Sequence, residues 1–113
     1  MNAQIIISTL LYLLAQTLVW FQLYGPIKIP WIKENQWIIY AAAIPITYIF
    51  AQGTKIGYEG FGEAWPLRFV GFSMGILSFA ILTSYFMNEG ITLKSIISVL
   101  LSLLIVVIQV VWK

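Results

Sequence analysis

Long apolar runs alternate with short polar segments along the whole chain. The runs extend from Ala3 to Tyr24, Trp37 to Gln52, Phe69 to Met87 and Ser95 to Trp112. None of them contains Asp, Glu, Lys or Arg. A helix rises about 1.5 Å per residue, so the first, third and fourth runs are long enough to cross a hydrocarbon core about 30 Å thick. The second is a little short and is expected to borrow a turn from its flanks. The pattern predicts an all-α polytopic membrane protein: one membrane domain over residues 1–113, with helices at approximately 3–24, 37–52, 69–87 and 93–112. Short turns make consecutive spans antiparallel neighbours, which gives a four-transmembrane-helix bundle with both ends on one side.

The connections carry most of the polar chemistry. Segment 25–36 holds Pro26, Pro30, Lys28 and Lys33, so it reads as an interfacial turn with room for a stub of helix. Segment 53–68 has four glycines, three aromatics, two carboxylates and two cations. Glycine at that density is expected to break a helix and to let backbone approach backbone closely. The third connection, Asn88 to Thr92, is a tight turn, with Gly90 as the expected helix C-cap and Thr92 as the N-cap of the last helix.

Composition agrees with the pattern. The chain is 61% hydrophobic and 9% charged, against about 25% charged in ordinary soluble domains. A soluble fold of this size buries too small a fraction of its area to hide so much apolar surface. Trp31, Trp37, Trp65 and Trp112 fall at the predicted span ends, where amphipathic rings settle at headgroup level. The first span has no basic region before it and no small-residue cleavage site after it, so it is read as a retained helix. The expected location is multi-pass, in the inner or plasma membrane of a cell. A net charge of +2 gives no nucleic-acid surface. Cysteine and histidine are absent, which removes thiolate sites and the commonest metal ligand and general base. No metal and no cofactor is expected.

The cations divide evenly between the two sides. Lys55, Arg68 and Lys113 share the side of the N-terminus, and Lys28, Lys33 and Lys94 lie opposite. An excess of basic residues normally fixes orientation, and here there is none. Either other factors or a partner impose one orientation, or the chain inserts both ways and two copies pack as an antiparallel homodimer.

Polar residues inside the runs are few. The first run repeats Gln4, Ser8, Tyr12, Gln16, Trp20 and Tyr24 at a spacing of four. Such a stripe drifts about 40° per step around a 3.6-residue helix, so it winds, and only a local group can face one cavity. Gln16, near the middle, either hydrogen-bonds a neighbouring helix or lines a substrate cavity. The second run offers Tyr40, Thr47, Tyr48 and Gln52 around Pro45, whose kink marks a cavity or is purely structural. In the third, Gly71 and Gly75 make a GxxxG spacing that Ser78 extends, suited to packing within the bundle. In the fourth, Ser95, Ser98, Ser102 and Gln109 form a heptad-like seam suited to a helix pair.

No catalytic constellation appears. The glycines of 53–68 match neither a P-loop nor a dinucleotide fingerprint. Glu34, Glu59, Glu63 and Glu89 all lie near predicted interfaces, and pairing of Glu59 and Glu63 with Lys55 or Arg68 is the expected arrangement. The chain is not expected to be an enzyme.

Leu23-Tyr24-Gly25, Ile56-Gly57-Tyr58 and Glu89-Gly90-Ile91-Thr92 occur in that order across the chain. This arrangement resembles an uncharacterised group among the small four-helix members of the drug/metabolite transporter superfamily. More distantly, the chain is similar to the small multidrug resistance transporters, antiparallel homodimers that exchange protons for hydrophobic cations. Their coupling residue is a glutamate in the middle of the first helix; at the matching place this sequence reads Ala15-Gln16-Thr17. An amide does not titrate, so the resemblance implies a transporter without that proton-coupled step. By positional analogy, Trp20 and Tyr40 stand where such transporters cage cations.

Two functions follow as expectations. The first is a carrier of an unknown small solute, its site near mid-membrane and formed by Gln16, Trp20, Tyr40 and Tyr48. The second is a non-transporting subunit that packs on a membrane partner through Gly71, Gly75, Ser98 and Ser102.

Overall fold

The computed structural model describes residues 3–112. It is all helical: α1 (Ala3–Lys28), α2 (Pro30–Glu34), α3 (Trp37–Phe61), α4 (Trp65–Phe86) and α5 (Leu93–Val111). The four long helices are long and apolar enough to cross a membrane, and they correspond to the four apolar runs.

Segment 53–68 departs from expectation. α3 does not stop near Gln52 but continues to Phe61, and α4 starts at Trp65 instead of Phe69, so the connection shrinks to residues 62–64. Glycine inside a helix costs about 1 kcal/mol relative to alanine, yet these glycines bring a compensating contact. Gly53, Gly57 and Gly60 recur at helical spacing on the face of α3 that meets α1. A Cβ at Gly57 would sit 2.9 Å from Ser8 Oγ, and one at Gly60 would sit 3.0 Å from Gln4 Cβ and 3.1 Å from Ile5 N. Close backbone approach was the correct half of the expectation, and helix breaking was not. α3 ends at Gly62, whose φ of 80° is left-handed and whose N–H donates to Tyr58 O at 2.8 Å. Pro66 opens α4 in its first turn, where the missing N–H has no intrahelical partner to lose.

α1 likewise runs past Tyr24 to Lys28, and α2 is the expected stub, folded back so that Ile32 covers Gly25. At the α4–α5 turn the left-handed residue is Asn88, φ 54°, and not Gly90. Asn tolerates this region because its short polar side chain bonds locally. Thr92 caps α5 as expected, its Oγ1 accepting from Ser95 N at 3.3 Å.

α1 lies between α3 and α4, and α5 packs substantially on α4 alone. The order α3–α1–α4–α5 is an open row, 47 × 36 × 18 Å in extent. α3 and α4, although joined by the shortest turn between two long helices, meet little beyond the Gly57–Leu67 contact beside it. The expectation that consecutive spans are neighbours therefore fails for this pair: the close α1–α3 and α1–α4 contacts place α1 between them. Small and hydroxylated residues, Ser8, Ala15, Gly53, Gly57, Ser73, Ser78, Thr83 and Ser102, are buried between the helices beside a core of Tyr12, Leu67, Val70 and Met74. Large apolar side chains such as Ile44, Leu93, Leu100, Leu104 and Val111 point outward. Small residues between helices and bulky apolar ones outside is the distribution that lipid-facing helices use. Among the described residues, no buried side-chain nitrogen or oxygen lacks a hydrogen-bond partner.

Candidate functional site

The spacing-of-four stripe on α1 organises the molecule. A drift of about 40° per step turns the stripe through about 200° from Gln4 to Tyr24, enough to carry it from one neighbouring helix to the other. Its first half faces α3: Gln4 Nε2 donates to Glu59 Oε2 at 3.1 Å, Ser8 packs on Gly57, and Tyr12 OH lies 2.7 Å from Thr54 Oγ1. Its second half faces α4. Gln16 Nε2 donates to Gly71 O at 3.2 Å, Trp20 Nε1 donates to Thr83 Oγ1 at 3.0 Å, and the Tyr24 ring meets Phe79 edge-on at 5.3 Å.

Gln16 is the crossover. Its amide lies over Gly75, where a Cβ would come within 3.1 Å of it, so the small residue of the GxxxG pair admits a side chain and not a second backbone. Gly71 contributes its carbonyl, and the space a Cβ would occupy there is open. Gln16 bonds the neighbouring helix, and its side chain also borders two cavities.

Two cavities flank Gln16. One of about 470 Å³ lies toward the α3–α4 turn and is lined by Tyr12, Gln16, Phe50, Thr54, Arg68 and Phe72, among others. The other, about 320 Å³, lies toward the opposite end, between Gln16, Trp20, Tyr24, Phe72 and Phe79. Gln16 and Phe72 line both. No Asp or Glu lines either one.

Of the four residues expected to bind substrate, Gln16 and Trp20 come together in the smaller cavity. Trp20 is only 3% exposed and its N–H is already engaged. Tyr40 and Tyr48 are not brought to them: they are 73% and 65% exposed, on a face of α3 turned away from α1. Pro45 borders a separate cavity of about 240 Å³, which is wholly apolar. The serine seam of α5 also divides. Ser102 is buried and its carbonyl accepts from Ser73 Oγ at 2.6 Å, whereas Ser98 is exposed, bonds Lys94 O and borders a cavity of about 340 Å³ between α4 and α5.

Thr54, Arg68 and Phe72 were not singled out as site residues in the sequence. Thr54 and Arg68 sat in the stretch read as a loop, and only continuing the helical period through the glycines would have placed Thr54 opposite Tyr12. Helix directions put Lys55, Arg68, Glu59 and Glu63 at one end and Lys28, Lys33, Lys94, Glu34 and Glu89 at the other. Lys113 lies outside the described residues. The expected pairing of Glu59 and Glu63 with Lys55 or Arg68 does not form among the described residues; Glu59 accepts from Gln4 instead.

No family model matches the chain, and no curated protein or solved structure matches it either. The resemblance to drug/metabolite transporters therefore rests on its three short motifs alone.

Proposed function

We propose that this chain is a multi-pass integral membrane protein that carries a small solute past Gln16. One observation supports this reading above the others: two cavities, about 470 and 320 Å³, meet at a hydrogen-bonding side chain midway along the most central helix. A polar side chain at this depth is costly unless it is hydrogen-bonded, and beyond its bond to Gly71 O Gln16 still presents polar atoms to both cavities. Gln16, Trp20 and Tyr12 form the chain's own contribution to the site. Neither cavity has a titratable carboxylate, so the reading includes no proton-exchange step of the glutamate type. Tyr40 and Tyr48 enter such a site only as the contribution of a second copy.

Reconstitution tests the proposal. Proteoliposomes loaded with radiolabelled neutral, cationic and anionic small solutes are expected to show flux of at least one class. Gln16→Ala is expected to abolish it, and Ile81→Ala, on an exposed face, to preserve it. Absence of flux for every solute would end the carrier reading.

The row of helices favours a second reading. α5 packs mainly on α4 and leaves most of its apolar surface uncovered, as in a subunit that docks on a membrane partner. Stable co-purification of a partner, lost on deleting α5, supports it. The antiparallel pair is a proposal with its own test. The chain has no cysteine, so Trp112→Cys gives a single label. Labelling from both sides of sealed vesicles establishes dual insertion, and labelling from one side alone ends it.

A further inference from the structure

The larger cavity beside Gln16 contains one formal charge, and that charge is positive. Arg68 lines it, while Glu59 and Glu63, at the same end of the molecule, do not. No ion pair engages the Arg68 side chain among the described residues. Tyr12 and Thr54, which line the same cavity, share one hydrogen bond of 2.7 Å. Two hydroxyls joined by one bond use one of their two protons, so the other is available to an acceptor. The Gln16 amide likewise has a second N–H beyond the one on Gly71 O. Phe50 and Phe72 supply apolar wall. The cavity thus sets donors, from buried Tyr12 to exposed Arg68, beside the apolar rings of Phe50 and Phe72, with no carboxylate.

A cation entering would leave water, meet a like charge and find no anion to offset the loss. An anion would exchange its water for a guanidinium and a hydroxyl. Arginine suits the task because its stem lies along apolar surface while its head stays at the polar edge.

We infer that this cavity binds an amphipathic monoanion, its carboxylate or phosphate head on Arg68 and the Tyr12–Thr54 hydroxyls, its apolar body against Phe50 and Phe72. The inference names a substrate class for the carrier proposed above and rests on that reading only for the word substrate. Binding is measured without flux.

The test is equilibrium dialysis of the full chain in uncharged detergent, with protein-free micelles as blank and radiolabelled octanoate as probe. Octylammonium and octanol, of matched length, isolate the charge. Saturable octanoate binding is expected, with no saturable octylammonium binding. Arg68→Gln is expected to weaken octanoate about tenfold or more, as loss of a charge-assisted hydrogen bond does, and Arg68→Lys to retain most of the affinity. Lys55→Gln, at the same end but outside the cavity, is expected to change nothing. Octylammonium binding equal to octanoate, or Arg68→Gln binding octanoate like the parent, overturns the inference.

Nanodiscs separate the two sources of such an anion. If phosphatidylglycerol suppresses octanoate binding relative to phosphatidylcholine, and Arg68→Gln abolishes that suppression, the anion site takes a lipid headgroup. If it does not suppress, the site takes a soluble anion. Saturable octanoate binding without flux keeps the inference and ends the carrier. Cation flux indifferent to Arg68→Gln, with no saturable octanoate binding, keeps the carrier and ends the inference.

Discussion

The contact of α1 with α3 and the contact of α4 with α5 join helices of similar apolarity by different means. The first is lined by Gly53, Gly57 and Gly60, so two backbones come close, and it is crossed by hydrogen bonds from Gln4, Tyr12 and Gln22, the last reaching Ile39 O at 2.7 Å. The second has one interhelical hydrogen bond, Ser73 to Ser102 O, and encloses a cavity of about 340 Å³. α5 is nevertheless the most apolar of the four long helices and the least buried. Where the surrounding solvent is as apolar as leucine, greasiness does not draw helices together; small residues and satisfied polar groups do. The contrast is one of fit, and it orders the effects of substitution.

Gly57→Ala should be the most damaging single-methyl change, because the new Cβ meets both Ser8 and Leu67. A loss of about 1–3 kcal/mol is expected, as for other overpacked interiors, measured by reversible unfolding in mixed micelles. If Gly57→Ala unfolds at the parent midpoint, the tight-interface account fails. Next comes Tyr12→Phe, which leaves the Thr54 hydroxyl without its partner. A loss of about 1 kcal/mol is expected in the same assay, and Tyr12→Phe/Thr54→Val together should cost little more than Tyr12→Phe alone. Ser73→Ala, at the looser contact, should cost about 0.6 kcal/mol, the average for a hydrogen bond between membrane helices. A larger loss than at Tyr12 would reverse the comparison. Smallest is Gly71→Ala: nothing lies within 4 Å of the new methyl, so stability should hold or rise by up to about 1 kcal/mol. For cysteines introduced on α5, disulfide-linked dimers are expected from Ser98→Cys, which is exposed, and not from Ser102→Cys, which faces α4.

Four helices and the winding of the α1 stripe could be read from the apolar runs and the spacing of Gln4 to Tyr24. Their side-by-side order could not, because α1 and not α3 is the main neighbour of α4 on that side. Residues 53–68 could not, because glycine has opposite meanings in water and between packed helices. Its conformational freedom argues for a loop, while its lack of a side chain argues for an interface. Periodicity decides between them only once the facing helix is known. Asn88 in place of Gly90 at the turn was a near miss of the same kind, since both residues accept a left-handed backbone. The candidate site was half legible. Gln16 and Trp20 lie on one helix and share a cavity, as spacing allows. Tyr40 and Tyr48 depend on how α3 is rotated about its axis, and the glycines of α3 set that rotation by turning their own face toward α1.

The winding of the α1 stripe also bears on the order in which the protein is made. Gln4, Ser8 and Tyr12 have their partners on α3, and so does Gln22 near the other end of α1. Chains emerge from the ribosome N-terminal end first, and units with local contacts assemble as they appear. The leading hairpin therefore has its anchoring bonds available before residue 65 is synthesised. What remains unsatisfied on it, Gln16 and the Trp20 N–H, is the half of the stripe that α4 later receives.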